Sequence, residues 1–323
     1  MRHGSKRERI SLVSSSGVVS EYQMVAPRIW LFPDMNQAES RVVAWRGPVP
    51  KLRQWYIEGQ DVHLKMTHLI AKAIQESKIP IPKRGGIALF TRKPWDEFIK
   101  GDEEREQTKR IVHGGNYEIG GKKTALILGV SEVLARILLA IYYSLNPEIK
   151  NNYHAWIRAE LKRTRTLWMP NPVRFRKVFW DILDDDTYRQ GYASYPQCIV
   201  AAMLNRTLVH CANIFRKDSN ELLKDQWCAW YGVENWDHWR SLRDVNDRSP
   251  QAILWSGMDI RLNVHDAGGI SAPSDPDLVR WAVVTWRGKA EEQIWITEND
   301  PLVIPVDFKT GSSWGELEDY KIA

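Results

Sequence analysis

The stretch from Ser131 to Leu145, SEVLARILLAIYYSL, carries the strongest helix signal in the chain. Ser131 is a favourable N-cap, and Glu132 follows in the first turn, where a negative charge stabilises the helix dipole. The apolar positions cover a wide face; they are Val133, Leu134, Ile137, Leu138, Ile141, Tyr142 and Leu145. So broad an apolar face predicts a central, buried helix that ends before Pro147.

Weaker signals on both sides of this stretch complete a mainly helical pattern. Apolar spacing predicts further helices at Asp61 to Gln75, Trp95 to Arg110, Tyr153 to Leu167, Phe175 to Leu183, Gln197 to Phe215 and Glu221 to Arg243. Short β-type runs predict strands at Arg28 to Phe32, Arg41 to Trp45, Val279 to Trp286, Gln293 to Thr297 and Leu302 to Phe308. The predicted fold class is mainly α: a helical bundle lobe preceded by short strands, with a smaller β-rich C-terminal region.

Charge divides the chain into three predicted parts. Residues 241–323 hold 14 acidic and 8 basic residues, a net of −6, so the overall charge of +5 leaves +11 on residues 1–240. We predict a flexible basic arm at 1–24, a helical RNA-binding lobe at 25–245 and an acidic β-rich region at 246–323. A block as basic as the first 240 residues is suited to a polyanionic partner.

Several functional classes find no support in the sequence. No run of about 18 apolar residues predicts a membrane span, and the polar N-terminus does not resemble a secretory signal. Cys198, Cys211 and Cys228 lack metal-ligand spacing and are predicted to be reduced thiols in a cytosolic or nuclear protein. No Walker loop, nucleophile elbow or useful Cys–His spacing occurs, so neither a cofactor nor a metal is predicted.

The most basic segment is also rich in aromatic residues. Its cations are Lys150, Arg158, Lys162, Arg163, Arg165, Arg174, Arg176 and Lys177, against the single acid Glu160. Trp156, Trp168, Phe175 and Trp180 lie among them. Arginine forks fit phosphate oxygens and aromatic faces stack on bases, so we predict a site for single-stranded nucleic acid. Arg206, Arg216 and Lys217 form a weaker second group, and a solvated helix face with core aromatics is the alternative interpretation.

Three blocks follow one another in an order that resembles a known family. They are Lys51 to Ile74 (KLRQWYIEGQDVHLKMTHLIAKAI), Leu138 to Leu161 (LLAIYYSLNPEIKNNYHAWIRAEL) and Tyr192 to Lys217. The order resembles the amino-terminal lobe of rhabdovirus-type nucleoproteins. The resemblance implies a non-enzymatic protein that holds single-stranded RNA by its phosphates. It also implies self-association through the N-terminal arm and a place in the virion if the protein is viral.

A second resemblance leads to a different class. Gly257 to Asp259 (GMD) precedes Val303 to Gly311 (VIPVDFKTG), which is similar to the two-strand core of PD-(D/E)XK nucleases. That resemblance implies that Asp259 and Asp307 bind Mg²⁺ and that Lys309 positions the attacking water. The long spacing between the two acids argues against it, and the nuclease stays as the alternative function.

Overall fold

The computed structural model describes residues 9–13, 19–23, 28–77, 90–222, 258–264, 266–274 and 276–321. Its α-helices are α1 (Ala38–Arg46), α2 (Pro50–Ile57), α3 (Val62–Glu76), α4 (Glu103–Asn116), α5 (Gly121–Leu128), α6 (Glu132–Leu145), α7 (Ala155–Thr164), α8 (Asp185–Leu222) and α9 (Pro276–Ala290). Its strands are β1 (Arg9–Val13), β2 (Val19–Gln23), β3 (Arg28–Met35), β4 (Thr166–Trp168), β5 (Arg176–Val178), β6 (Asp259–Val264), β7 (Ala267–Pro273), β8 (Ile294–Thr297), β9 (Asp300–Leu302), β10 (Val306–Gly311) and β11 (Glu318–Asp319). The predicted class, mainly α with a smaller β part, is confirmed.

The chain divides into two compact units. The sheet unit comprises Met1–Asn36, Met203–Glu292 and Ile304–Ala323, and the helical unit comprises Gln37–Ala202 and Gln293–Val303. Helix α8 therefore contributes its first half to the helical unit and its second half to the sheet unit.

The sheet unit is built on a five-stranded sheet with the order β11-β10-β3-β7-β6, in which all neighbours are antiparallel. Strand β3 lies in the middle, and Leu31, Pro33 and Met35 alternate into the core. Helix α9 covers this buried face, and its Trp286 is fully buried close to Gly268. A Cβ on Gly268 would lie 2.8 Å from the Trp286 ring, so only glycine allows this packing.

The helical unit is organised around α6, the helix that the sequence predicts most strongly. Ser131 caps it, because its hydroxyl accepts a hydrogen bond from the Leu134 N–H at 3.2 Å. Tyr142 is fully buried and donates a 2.6 Å hydrogen bond to Asn116 at the end of α4. The buried helix is confirmed, although Val133 is 58% exposed and the buried face is narrower than the sequence suggests.

Three local predictions are wrong, each in a segment whose pattern fits more than one structure. Arg41 to Trp45 lies in α1, where all five residues are buried, and a short buried helix gives the same continuous pattern as a strand. Val279 to Trp286 lies in α9, which is buried at Val283 and Trp286 but exposed at Val284; its β-branched and aromatic residues give the strand pattern. Phe175 to Leu183 contains β5 and a loop in place of a helix. The predicted helix Glu221 to Arg243 lies outside the described residues after Leu222.

The described helices include none that alone is long and apolar enough to cross a membrane. Helices α5 and α6 meet that requirement only as a pair, which is bent by 105°.

Candidate functional site

Two aspartates lie close together in the backbone of the sheet unit, where β3 ends. Asp34 lies near the end of β3, directly opposite Ala267 at the start of β7. Asp266 immediately precedes Ala267, and its carbonyl accepts a hydrogen bond from the Met35 N–H at 3.1 Å. This register places the Cα atoms of the two aspartates roughly 6 Å apart, one residue out of step on neighbouring strands. Both side chains are partly exposed.

A tight hairpin fixes the position of Asp266. Val264 pairs with Ala267, so the connection between β6 and β7 is short and Asp266 lies in it. Two glycines follow this turn on β7, and neither has room for a side chain. A Cβ on Gly269 would lie 2.9 Å from Leu262, and a Cβ on Gly268 would lie 2.8 Å from Trp286. The two glycines therefore let the hairpin pack closely and hold Asp266 beside β3.

The third acidic residue near this site has a different environment. Asp307 on β10 pairs directly with Asp34, along the edge of β3 that faces away from β7. Its side chain is exposed. Its carboxylate accepts a 2.6 Å hydrogen bond from the Asn36 amide. Within the described residues, no group of three or more His, Cys, Asp and Glu side chains is arranged to hold a metal.

The geometry does not assemble the nuclease site that the sequence suggested. Asp259 lies on β6, opposite Ser271, whereas Asp307 and Lys309 lie on β10. Two strands, β3 and β7, separate β6 from β10, and Asp307 lies four residues from Gly311, the β10 residue level with Asp259. The two acidic positions are therefore roughly 20 Å apart. The nuclease alternative is not supported, because one metal ion cannot bind two carboxylates at that separation.

A polar stripe runs along α4 in the helical unit. Arg105, Lys109, His113 and the C-cap residue Tyr117 follow at intervals of four, which aligns their side chains on one helix face. Arg105 is held by Asp61 through a 2.8 Å ion pair. Lys109 is exposed, and no carboxylate within the described part of the chain forms an ion pair with it. The stripe thus offers a cationic end suited to an anion.

The other end of the stripe is a buried aromatic cluster. The Tyr117 hydroxyl donates a hydrogen bond to Glu39 on α1, and burial together with that carboxylate raises the pKa of Tyr117 well above its ordinary value. The His113 ring lies 6.1 Å from the ring of His63. Burial, reinforced by the neighbouring His113, lowers the pKa of His63 to about 3. Tyr117 is therefore a neutral phenol and His63 a neutral imidazole at physiological pH.

Some of the predicted nucleic-acid-binding cations serve the fold. Arg158 forms ion pairs with Glu118 at 3.1 Å and Asp185 at 3.4 Å, and it stacks on Tyr188. Arg163 pairs with Glu160, Arg206 pairs with Glu292, and Lys150 lies 4.2 Å from the Tyr143 ring centre. Lys162 is exposed on α7. The side chains of Arg216 and Lys217 lie outside the described residues.

The remaining cations are brought together on one β-hairpin. Arg165 precedes β4, Arg174 lies in the turn, and Arg176 and Lys177 lie on β5. None of the four forms an ion pair with a carboxylate of the described residues. The binding role that the sequence assigns to the whole set stays a prediction. Arg165, Arg174 and Arg176 of this hairpin are exposed, whereas Lys177 is half-buried and donates a 2.8 Å hydrogen bond to Ser194.

Comparison with known proteins identifies the fold. The sequence matches no protein-family model and no curated protein. The structure is similar to the POL domain of Pol1 from M. smegmatis, solved in a complex with a DNA primer-template and dNTP. The match has a TM-score of 0.57 at 15% sequence identity and covers 88% of this chain. This chain spans only 40% of the length of that polymerase chain.

The comparison overturns the nucleoprotein interpretation. The structure is similar to a DNA polymerase domain, so the resemblance to rhabdovirus-type nucleoproteins and the non-enzymatic RNA-coating role inferred from it are wrong. That resemblance rested on the order of amphipathic helices and basic groups, which unrelated helical proteins share. Self-association through residues 1–24 stays a prediction.

Neither of the two central aspartates stands out in the sequence. Asp34 follows Pro33 and has the appearance of a turn former after a strand. Asp266 follows Ile260, Leu262 and Val264, which alternate at strand spacing. An acid at the end of each of two strands was the available signal, but only the pairing of β3 with β7 shows that the two meet.

Proposed function

We propose that this chain is a nucleic-acid polymerase domain that extends a primer strand along a template. The observation that carries the proposal is the pair of Asp34, at the end of β3, and Asp266, in the adjacent β6–β7 turn, in a fold similar to a DNA polymerase domain. In this reaction the terminal hydroxyl of the primer attacks the α-phosphate of a nucleoside triphosphate. The new phosphodiester bond forms as pyrophosphate leaves.

The two aspartates suit a divalent cation of the Mg²⁺ type. Magnesium prefers oxygen ligands and is commonly held by one or two carboxylates together with substrate phosphates and water. The pair in the sheet unit provides those carboxylates and leaves the other positions to the substrate. Mg²⁺ held by Asp34 and Asp266 would supply charge neutralisation at the phosphates and would lower the pKa of the attacking hydroxyl.

Residues of the helical unit suit the nucleotide. Lys109 presents positive charge on α4, and hydrogen bonds from cations to phosphate oxygens are among the stronger ones in proteins. Tyr117 keeps its proton because of burial and the Glu39 carboxylate, so it remains a neutral, fixed surface on the same helix face as Lys109. We assign Lys109 to triphosphate binding and Tyr117 with Glu39 to positioning.

Primer extension tests this function directly. A labelled DNA primer annealed to a longer DNA template is incubated with the chain, the four deoxynucleoside triphosphates and Mg²⁺. Template-dependent extension that EDTA abolishes is the expected result. The absence of extension with Mg²⁺ and with Mn²⁺, on both DNA and RNA templates, would overturn the proposal.

A lysine variant tests the assignment of the nucleotide site. Lys109→Ala should raise the KM for the nucleotide about 10- to 100-fold, because a hydrogen bond to a charged group contributes about 1.5–3 kcal/mol. Lys100→Ala is the matched control, since Lys100 is also exposed and lies outside α4. Equal KM values for the two variants would remove Lys109 from the site.

A further inference from the structure

The β4–β5 hairpin of the helical unit exposes large aromatic side chains. Trp168 is 59% exposed and Trp180, two residues after β5, is 85% exposed. Tryptophan is seldom left so open to water, since its burial is strongly favourable. Two exposed tryptophans close to one hairpin therefore mark a surface for a partner.

Both tryptophans belong to the same face of the hairpin. Trp168 lies directly opposite Arg176, which places these two side chains on one face. The ladder continues beyond Val178, because the Phe179 N–H donates to the Arg165 carbonyl at 2.8 Å. Arg176, Val178 and Trp180 are two residues apart, so they share that face. The two indole rings thus mark the ends of a strip roughly 13 Å long.

The strip is strongly cationic. Residues 162–182 contain six basic side chains and one acid, Asp181. The Arg176 guanidinium lies 5.7 Å from the Trp168 ring centre, which keeps charge and aromatic surface together. Arg174 lies in the adjoining turn and is exposed. An apolar protein partner would not explain this charge, whereas a polyanion with flat rings would.

We propose that this face of the hairpin binds single-stranded nucleic acid. Unpaired bases stack on Trp168 and Trp180, while Arg174 and Arg176 contact phosphates between them. The bases must be unpaired, because paired bases in a duplex do not expose their flat faces. The inference goes beyond the proposed polymerase activity, since this binding requires neither a metal ion nor the aspartates of the sheet unit.

Fluorescence anisotropy with a labelled oligonucleotide of about 20 thymidines, in EDTA, tests the aromatic contacts. The Trp168→Ala/Trp180→Ala double variant should bind at least about tenfold more weakly, because stacking on one ring contributes about 5- to 150-fold. Trp314→Ala is the matched control, because Trp314 is 49% exposed and belongs to the sheet unit. Equal affinity of the double variant and the wild type, or an equal decrease in the control, would overturn the proposal.

A second pair of variants tests the phosphate contacts and does not depend on the tryptophans. Arg174→Ala/Arg176→Ala should reduce the slope of log affinity against log salt by about 1.4, because each phosphate neutralised on a single strand contributes about 0.7. Arg163→Ala is the control, because Arg163 is already paired with Glu160. An unchanged slope in the double variant contradicts the proposal. Asp34→Asn should leave this binding unaffected, so failure here is distinguishable from failure of the polymerase activity.

Discussion

The sheet unit and the helical unit present opposite charges, and they assemble them by different means. In the sheet unit, Asp34 and Asp266 are 232 positions apart in the sequence and meet only because β3 pairs with β7. In the helical unit, Arg105 and Lys109 share one face of α4 because a helix repeats about every 3.6 residues. One arrangement depends on tertiary structure, and the other depends on local structure.

This difference has consequences for how each unit tolerates change. Asp34 and Asp266 keep their relative positions only while the sheet and its covering helix α9 stay packed. Arg105 and Lys109 keep their relative positions as long as α4 stays folded. Substitutions in the core of the sheet unit should therefore affect the carboxylate site more than equivalent substitutions in the helical unit affect the cationic stripe.

The largest expected effect is at Trp286. This side chain is fully buried and packs against Gly268, two residues after Asp266. Trp286→Ala should lower the free energy of unfolding by about 3–5 kcal/mol and reduce primer extension, because the β6–β7 hairpin loses its support. Urea unfolding monitored by circular dichroism measures the first effect. Val284→Ala, at a position 54% exposed on the same helix, should change stability by less than about 0.5 kcal/mol.

A smaller effect is expected at the centre of the helical unit. A Cβ on Gly115 would lie 2.4 Å from the Tyr142 ring, which is fully buried and cannot move away freely. Gly115→Ala should therefore destabilise the protein by about 3 kcal/mol, the upper end of typical overpacking costs. Gly101→Ala is the matched control, because a Cβ there meets no atom within 4 Å. Equal unfolding midpoints for the two variants would show that α4 and α6 are not packed as described.

His63 should make the stability of the protein depend on pH. Its pKa is about 3 in the folded protein and about 6.5 when unfolded, so the unfolded state binds more protons below pH 6.5. The free energy of unfolding is therefore not reduced by His63 above about pH 6.5, and it decreases as the pH falls below that value. Between pH 7 and pH 5 this loss is about 2 kcal/mol.

His63→Gln, which cannot acquire a charge, is the variant for this measurement. Urea unfolding at pH 7 and pH 5 should show a smaller decrease in stability for the variant than for the wild type. An identical decrease in both proteins would mean that His63 is protonated in the folded state.

Sequence periodicity predicts the helical unit better than the sheet unit. Asp61 to Gln75 and Ser131 to Leu145 match α3 and α6 almost residue for residue, since amphipathic spacing is a local property. Residues 41–45 resemble a strand in the sequence because a buried helix can show no period. Residues 279–286 resemble one because they are rich in β-branched and aromatic residues. No local pattern indicates that β3, β7 and β10 join in one sheet.

The candidate functional residues also differ in how far the sequence predicts them. The basic hairpin can be predicted from composition, because its cations and aromatic residues are close together in the sequence. The aspartate pair cannot, because each acid alone looks like an ordinary strand end or turn. Asp307 stands out within a short motif, yet the fold places it beside Asn36 and far from Asp259.

The most direct test of the central claim compares three aspartate variants in the primer-extension assay. Asp34→Asn and Asp266→Asn should each reduce the extension rate about 10³-fold or more, because a bound cation contributes several kcal/mol to the transition state. Asp307→Asn should stay within about tenfold of the wild type, because Asp307 is exposed and bound to Asn36. Folded Asp34→Asn or Asp266→Asn protein that extends primers at the wild-type rate would contradict the assignment of this pair as the catalytic carboxylates.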